Sequence, residues 1–160
     1  MDENTETLLR KQLAKHIEGG DAFMPMEEML KEISFEKTGI IPQGVPYSFY
    51  QLFYHTWFAQ NDILEFCRNP DYKAPKWPEG YWPGKKAPDN EADWNNLKAQ
   101  YFNDRKAFCD YLLNSENNLF SPIPHGSGQT LLREAILITE HSAYHSGQLL
   151  IILRLLGLHF

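Results

Sequence analysis

The order of apolar and polar residues along the chain predicts four long helices and one short one. Leu9, Leu13 and Ile17 recur every four residues in "TETLLRKQLAKHIEGG", which lays them along one stripe, and Gly19-Gly20 marks the stop. "PMEEMLKEI" repeats the pattern over a shorter stretch, with Pro25 suited to a first helical turn. "SFEKTGIIPQGVPYS" lacks the period and reads as a loop. The second long helix has a two-part start signal. Ser48 and Gln51 form a capping box, and Tyr47 and Leu52 form the flanking hydrophobic staple. Leu52, His55, Ala59, Asp62 and Phe66 then recur at spacings of three and four until Asn69-Pro70 ends the run. In "EADWNNLKAQYFNDRKAFCDYLL" the stripe is Trp94, Leu97, Tyr101, Phe108 and Leu112. The last helix is expected from near Thr130 to Leu156, with Gly157 as its cap.

Between the second and third long helices lies "NPDYKAPKWPEGYWPGKKAPDN". It has no helical period and too many prolines for a central strand. A disordered linker seldom carries Tyr72, Trp77, Tyr81 and Trp82 together, so an ordered loop is expected, its rings packed outside the helices or at a rim. With no strand pattern and no internal repeat, the chain reads as one all-α domain over residues 1–160, a four-helix bundle.

Composition narrows the function. A length of 160 residues suits a single core, and 42% hydrophobic with 22% charged residues is ordinary for a globular protein. The net charge of -6 and the lack of a basic stripe argue against a nucleic-acid partner. The acidic start "MDENTETLLRKQ" is not a secretory signal, and "LLIILRLLGLHF" is too short to span a bilayer and carries Arg154. The cytoplasm is the expected compartment. Cys67 and Cys109 lack metal or redox spacing and read as unpaired thiols within helices.

The candidate chemistry is imidazole. His141 and His145 stand four apart on the last helix, in a band with Glu134, Ile138, Gln148 and Ile152 that faces the core. Buried imidazoles need polar partners, and a divalent metal would serve both. His55 lies on the apolar side of another long helix and can complete a set of three, leaving open positions on the ion. The spacing is also compatible with a hydrogen-bonded core pair or with two solvent-facing rings. It is not a zincin motif, which needs Glu where Ser142 stands, nor a paired Glu-x-x-His di-iron motif, so it favours one mononuclear site. Asp62 and Gln148 are candidates to orient a ligand histidine or to bond within the helices. Glu134 is a candidate carboxylate at the helix start, and His125 a candidate for a pocket mouth. His16 and His159 read as solvated and terminal.

"HTWFAQNDILEFC" and "EHSAYHSGQLLIILRLLG" resemble the DinB-like superfamily, which is unrelated to the DNA polymerase of similar name. "FCRNPDYKAPKWPEGYWP" and "FSPIPHGSGQTLLREA" resemble one bacterial branch of it. The resemblance covers the whole chain. It implies a four-helix bundle, homodimers, and a divalent metal on three histidines, at positions matching His55, His141 and His145. It also implies a thiol-dependent transferase or isomerase using a low-molecular-weight thiol such as bacillithiol or mycothiol. The rings of the 70–83 loop would suit the dimer interface. The expected function is therefore a metal-dependent thiol transferase acting on a small electrophile. A metal-dependent hydrolase and a non-enzymatic metal- or ligand-binding stress protein remain alternatives. Zinc, nickel, iron and manganese all suit the ligand set.

Overall fold

A computed structural model describes residues 2–19 and 21–160. Five α-helices follow one another: α1 (Glu3–Glu18), α2 (Met26–Glu32), α3 (Phe49–Arg68), α4 (Glu91–Leu113) and α5 (Leu131–Leu155). Short 3-10 turns occupy Phe35–Lys37 and Glu79–Tyr81. The fold is all-α, with no strand among the described residues. Among the described residues, no helix is long and apolar enough to cross a membrane.

Local chemistry sets most helix ends where expected. Ser48 and Gln51 make the full capping box on α3, each bonding the other's backbone N–H. Thr130 and Asn90 accept from backbone N–H groups in the first turns of α5 and α4. At the end of α5, Gly157 takes φ 69°. Its N–H donates to Arg154 O, and Leu158 N–H reaches back to Leu153 O. Those two bonds make a Schellman cap, which needs a residue tolerant of the left-handed region. Gly19 likewise takes positive φ after α1, whereas Gly20 lies outside the described residues.

Helix α3 packs against α4 and α5, α1 packs against the same two, and α2 leans on α5. The core divides into two apolar clusters. One gathers Ile17, Ile63, Leu64, Phe108, Leu112 and Ile138. The other gathers Met29, Phe49, Phe53, Trp94, Tyr101 and Leu149. Along α3 and α5 a polar belt lies between them: His55, Thr56 and Gln60 from α3, and Ser142, His145 and Ser146 from α5, all buried. Cys67 and Cys109 are free and buried in the first cluster, and burial pushes their thiols up to about 12 and about 11.

Two stripes turn out rotated from the expected ones. On α3 the deepest positions are Phe49, Leu52, Phe53, Thr56 and Leu64, with His55 and Gln60 close behind, while Asp62 and Phe66 are only half-buried. On α1, Leu9 and Leu13 are half-buried and Arg10 takes the inner place at 3% exposure. The Arg10 guanidinium donates to Leu112 O at 2.5 Å, to Asn117 O at 2.7 Å and to Glu6 Oε1 at 2.6 Å. A cation at the carbonyl end of α4 satisfies oxygens that the helix leaves without partners and complements its dipole. Simple apolar counting misses an arginine in this role.

Arg10→Met should therefore cost about 2–3 kcal/mol, since it strands buried carbonyls. Lys11→Met, at an exposed position of the same helix, should stay within about 0.5 kcal/mol of wild type. Urea denaturation of the two variants checks the contrast.

Candidate metal centre

His55 is carried by α3, His141 and His145 by α5, and the packing of these two helices brings the rings together. His141 Nε2 lies 3.2 Å from His55 Nε2 and 3.1 Å from His145 Nε2. One nitrogen from each ring falls within 4.8 Å of the others, close enough to hold a metal ion.

The outer nitrogens determine what the inner ones can do. His55 Nδ1 sits 3.1 Å from Tyr81 O, a pure acceptor, so that nitrogen carries the proton and Nε2 is left with a bare lone pair. His145 Nδ1 donates to Gln148 Oε1 at 2.6 Å, with the same result. At most one proton, on His141 Nε2, can then lie among the three. It can bridge one of the two short contacts, and the bare nitrogen at the other is left without a donor. A cation satisfies all three nitrogens at once. Tetrahedral ligands at about 2.0–2.1 Å from zinc stand about 3.4 Å apart, close to the spacings found here.

The surroundings favour the neutral, metal-binding form. Burial, reinforced by the neighbouring rings, pulls His141 down to about 3 and His145 to about 4. His55 is only 2% exposed, and its pKa is lowered by burial despite the bond to Tyr81 O. Trp82 lies flat on the His55 ring, 4.2 Å between centroids and 1° between planes. Tyr144 meets His145 edge-on at 5.0 Å. Beside His141 an open groove of about 320 Å³ is lined by Leu137, Glu140 and Tyr144.

The Pro- and Trp-rich loop is thus a wall of the site. Tyr81 supplies the carbonyl that orients His55, and Trp82 supplies the stacked face. The loop is held from both sides. Tyr72 Oη donates to Asp62 Oδ1 at 2.8 Å, and Ser48 Oγ donates to Lys86 O at 2.5 Å. Burial, helped by the Asp62 carboxylate, raises the pKa of both Tyr72 and Tyr81. Gly80 is needed just before Tyr81, because a Cβ there would come within 2.5 Å of Pro75 Cβ.

The candidate partners separate clearly. Gln148 touches a histidine of the trio. Asp62 touches none and acts on the loop instead. Glu134 is buried in the first turn of α5 and pairs with Arg133 at 2.6 Å, in keeping with a helix-start carboxylate. His125 bonds Phe66 O at 2.6 Å, near the end of α3 and away from the groove's lining residues. His16 is exposed, and His159 is tied to Glu32 at 3.0 Å where a free terminus was expected. Sequence reasoning missed Tyr81 and Trp82 as site residues. The one hint was the density of rings in a loop.

No protein family, curated protein or solved structure matches the chain in comparison.

The lowered pKa values fix a pH dependence for the metal-free protein. The unfolded chain takes up protons on these histidines below about 6.5, whereas in the fold His141 and His145 resist them down to about 4 and His55 is shifted the same way. Stability from this source is therefore complete above about pH 6.5 and falls as pH drops towards 4. The urea midpoint of chelator-treated protein should drop between pH 7 and pH 5. The drop should be smaller in His141→Gln, which cannot titrate.

Proposed function

We propose that the chain is a divalent-metal-dependent enzyme of the DinB-like kind, a four-helix bundle whose His55, His141 and His145 hold the ion. The reaction is transfer of a small thiol to an electrophilic carbon. The observation that carries the metal reading is the convergence of three Nε2 atoms at 3.1 and 3.2 Å with two of the outer nitrogens already committed. The thiol and the electrophile rest on the sequence resemblance.

An ion bound there would act as a Lewis acid and lower the pKa of a thiol or water that joins it. The chain's own residues do the rest. Desolvation keeps the imidazoles neutral at physiological pH. Tyr81 O and Gln148 Oε1 hold two rings in the ligating tautomer. Trp82 shields one face of His55 from water. The groove beside His141 offers apolar contact from Leu137 and Tyr144 to a small electrophile, and its open side lets the thiol proton reach water.

Purified protein should take up about one metal ion per chain, as a single three-histidine site requires. Elemental analysis after loading checks this, and unchanged metal content in the His55→Ala, His141→Ala double variant would sink the proposal. Gln148→Ala should keep the site but weaken metal affinity by about 10–100-fold.

With a thiol and an electrophile that turn over, His145→Ala should lose both metal and activity by orders of magnitude. Ser142→Ala, buried on the same helix one turn away, should keep both. Activity that survives His145→Ala and exhaustive chelation contradicts the enzyme reading. Bound metal without turnover on any thiol favours a binding protein.

A further inference from the structure

The groove beside His141 is bordered by two strips of chain. On α5, Leu137, His141 and Tyr144 follow at intervals of four and three residues, so they share one face. A neighbouring cavity of about 200 Å³ shares Leu137 with the groove and is lined from the aromatic loop by Ala74. The loop continues from Ala74 to Trp77, whose ring centroid lies 6.2 Å from that of His55. The imidazole trio thus has Trp77 beside its α3 member and Tyr144 beside His145.

These two rings are left bare. Trp77 is 63% exposed and Tyr144 65%, and among the described residues only the C-terminal Phe160 exposes more of an aromatic side chain. Each is nevertheless fixed in tilt. Tyr81 meets the Trp77 indole at 70° and 5.1 Å, and His145 meets the Tyr144 phenol at 75°. Near-perpendicular contacts of this kind hold a ring by one side and leave a face free for stacking. The same loop buries Tyr81 and lays Trp82 flat on His55, so Trp77 is the ring it withholds from the wall.

Charge narrows what can lie against them. No lysine or arginine lines the groove, where Glu140 is the one carboxylate. In the neighbouring cavity Arg133 is already paired with Glu134 at 2.6 Å. An anionic ligand finds no free cationic side chain there, whereas an uncharged flat ring can stack on both bare faces. The groove volume of about 320 Å³ is that of a small-molecule site.

We propose that the groove binds a flat, conjugated, uncharged ring through Trp77 and Tyr144, and that the electrophile belongs to this chemical class. The second half rests on the thiol-transfer reading given above. The binding itself stands on the two rings.

A matched pair of probes separates flatness from general affinity. Nitrobenzene and nitrocyclohexane carry the same polar group on six-carbon rings, one flat and one puckered. Titrated by ligand-detected NMR into zinc-loaded and into chelated protein, nitrobenzene should bind about tenfold tighter in both, as stacking on two rings implies. Trp77→Leu and Tyr144→Leu should each remove most of that preference and leave nitrocyclohexane binding unchanged. Trp77→Phe keeps a flat face and should stay within about threefold of wild type.

The protein's own signals locate the ring. The chain has four tryptophans, and the indole N–H signal lost in Trp77→Phe is that of Trp77. Nitrobenzene should shift this signal and leave in place that of Trp94, which is buried in the core. Equal binding of the two probes overturns the proposal. So does an unshifted Trp77 signal, or a folded Trp77→Leu variant that keeps the preference. Zinc content of the same samples keeps the two readings apart. Failed zinc uptake with the ring preference intact contradicts the metal reading alone, and bound zinc without the preference contradicts the ring site alone.

Discussion

Three imidazoles within touching distance, two buried and one half-buried, are the constraint on which the rest of the architecture depends. A buried ring nitrogen without a partner is costly, and six such nitrogens must be provided for in a small volume. Helix α5 supplies part of the answer locally, since Gln148 stands one turn from His145 and accepts its Nδ1–H. Helix α3 has no such residue for His55. Its partner comes from Tyr81 O, far along the chain, and reaching it requires the long loop to fold back over the site.

That requirement accounts for the effort spent on the loop. A segment with so many prolines makes few backbone hydrogen bonds of its own, so side chains must hold it. Tyr72 anchors to Asp62 near the end of α3, and Ser48 anchors Lys86 at its start. Ser48 also caps α3, so one hydroxyl joins the helix start to the loop end. Stacking of Trp82 on His55, and of Tyr47 on Trp82 at 5.9 Å, continues the same wall inward from the 34–48 loop. Part of the aromatic richness of the chain thus lies where a polar site meets the surface. Rings with polar edges can cover imidazoles without stranding further hydrogen-bonding groups.

Arg10 solves a related problem at the other end. The last carbonyls of α4 turn inward beside the 114–118 loop, and the guanidinium fork reaches three backbone oxygens there. Glu6, one turn earlier on α1, balances its charge. Two buried polar features, the arginine and the histidine trio, each connect an element of one helix to backbone carbonyls remote in sequence. Both therefore tie the helices into a single arrangement more specifically than the apolar clusters can, because directional bonds tolerate less slippage than hydrophobic contact.

The sequence by itself determined the helices, their caps and the pairing of His141 with His145. Each of these follows from residues within a few positions of one another, and a capping box or an i, i+4 spacing has the same geometry in any fold. His55 was legible one step further, because its place on the inner side of α3 required only that two helices face each other. The rotation of α1 that buries Arg10, the carbonyl that orients His55 and the indole that covers it were decided by tertiary structure alone. A backbone oxygen carries no signature of residue type, and an arginine reads as surface until a helix end arrives to receive it. Which face of a helix lies deepest is likewise settled by what packs against it, so Asp62 was displaced toward the loop while Gln148 remained at the histidines.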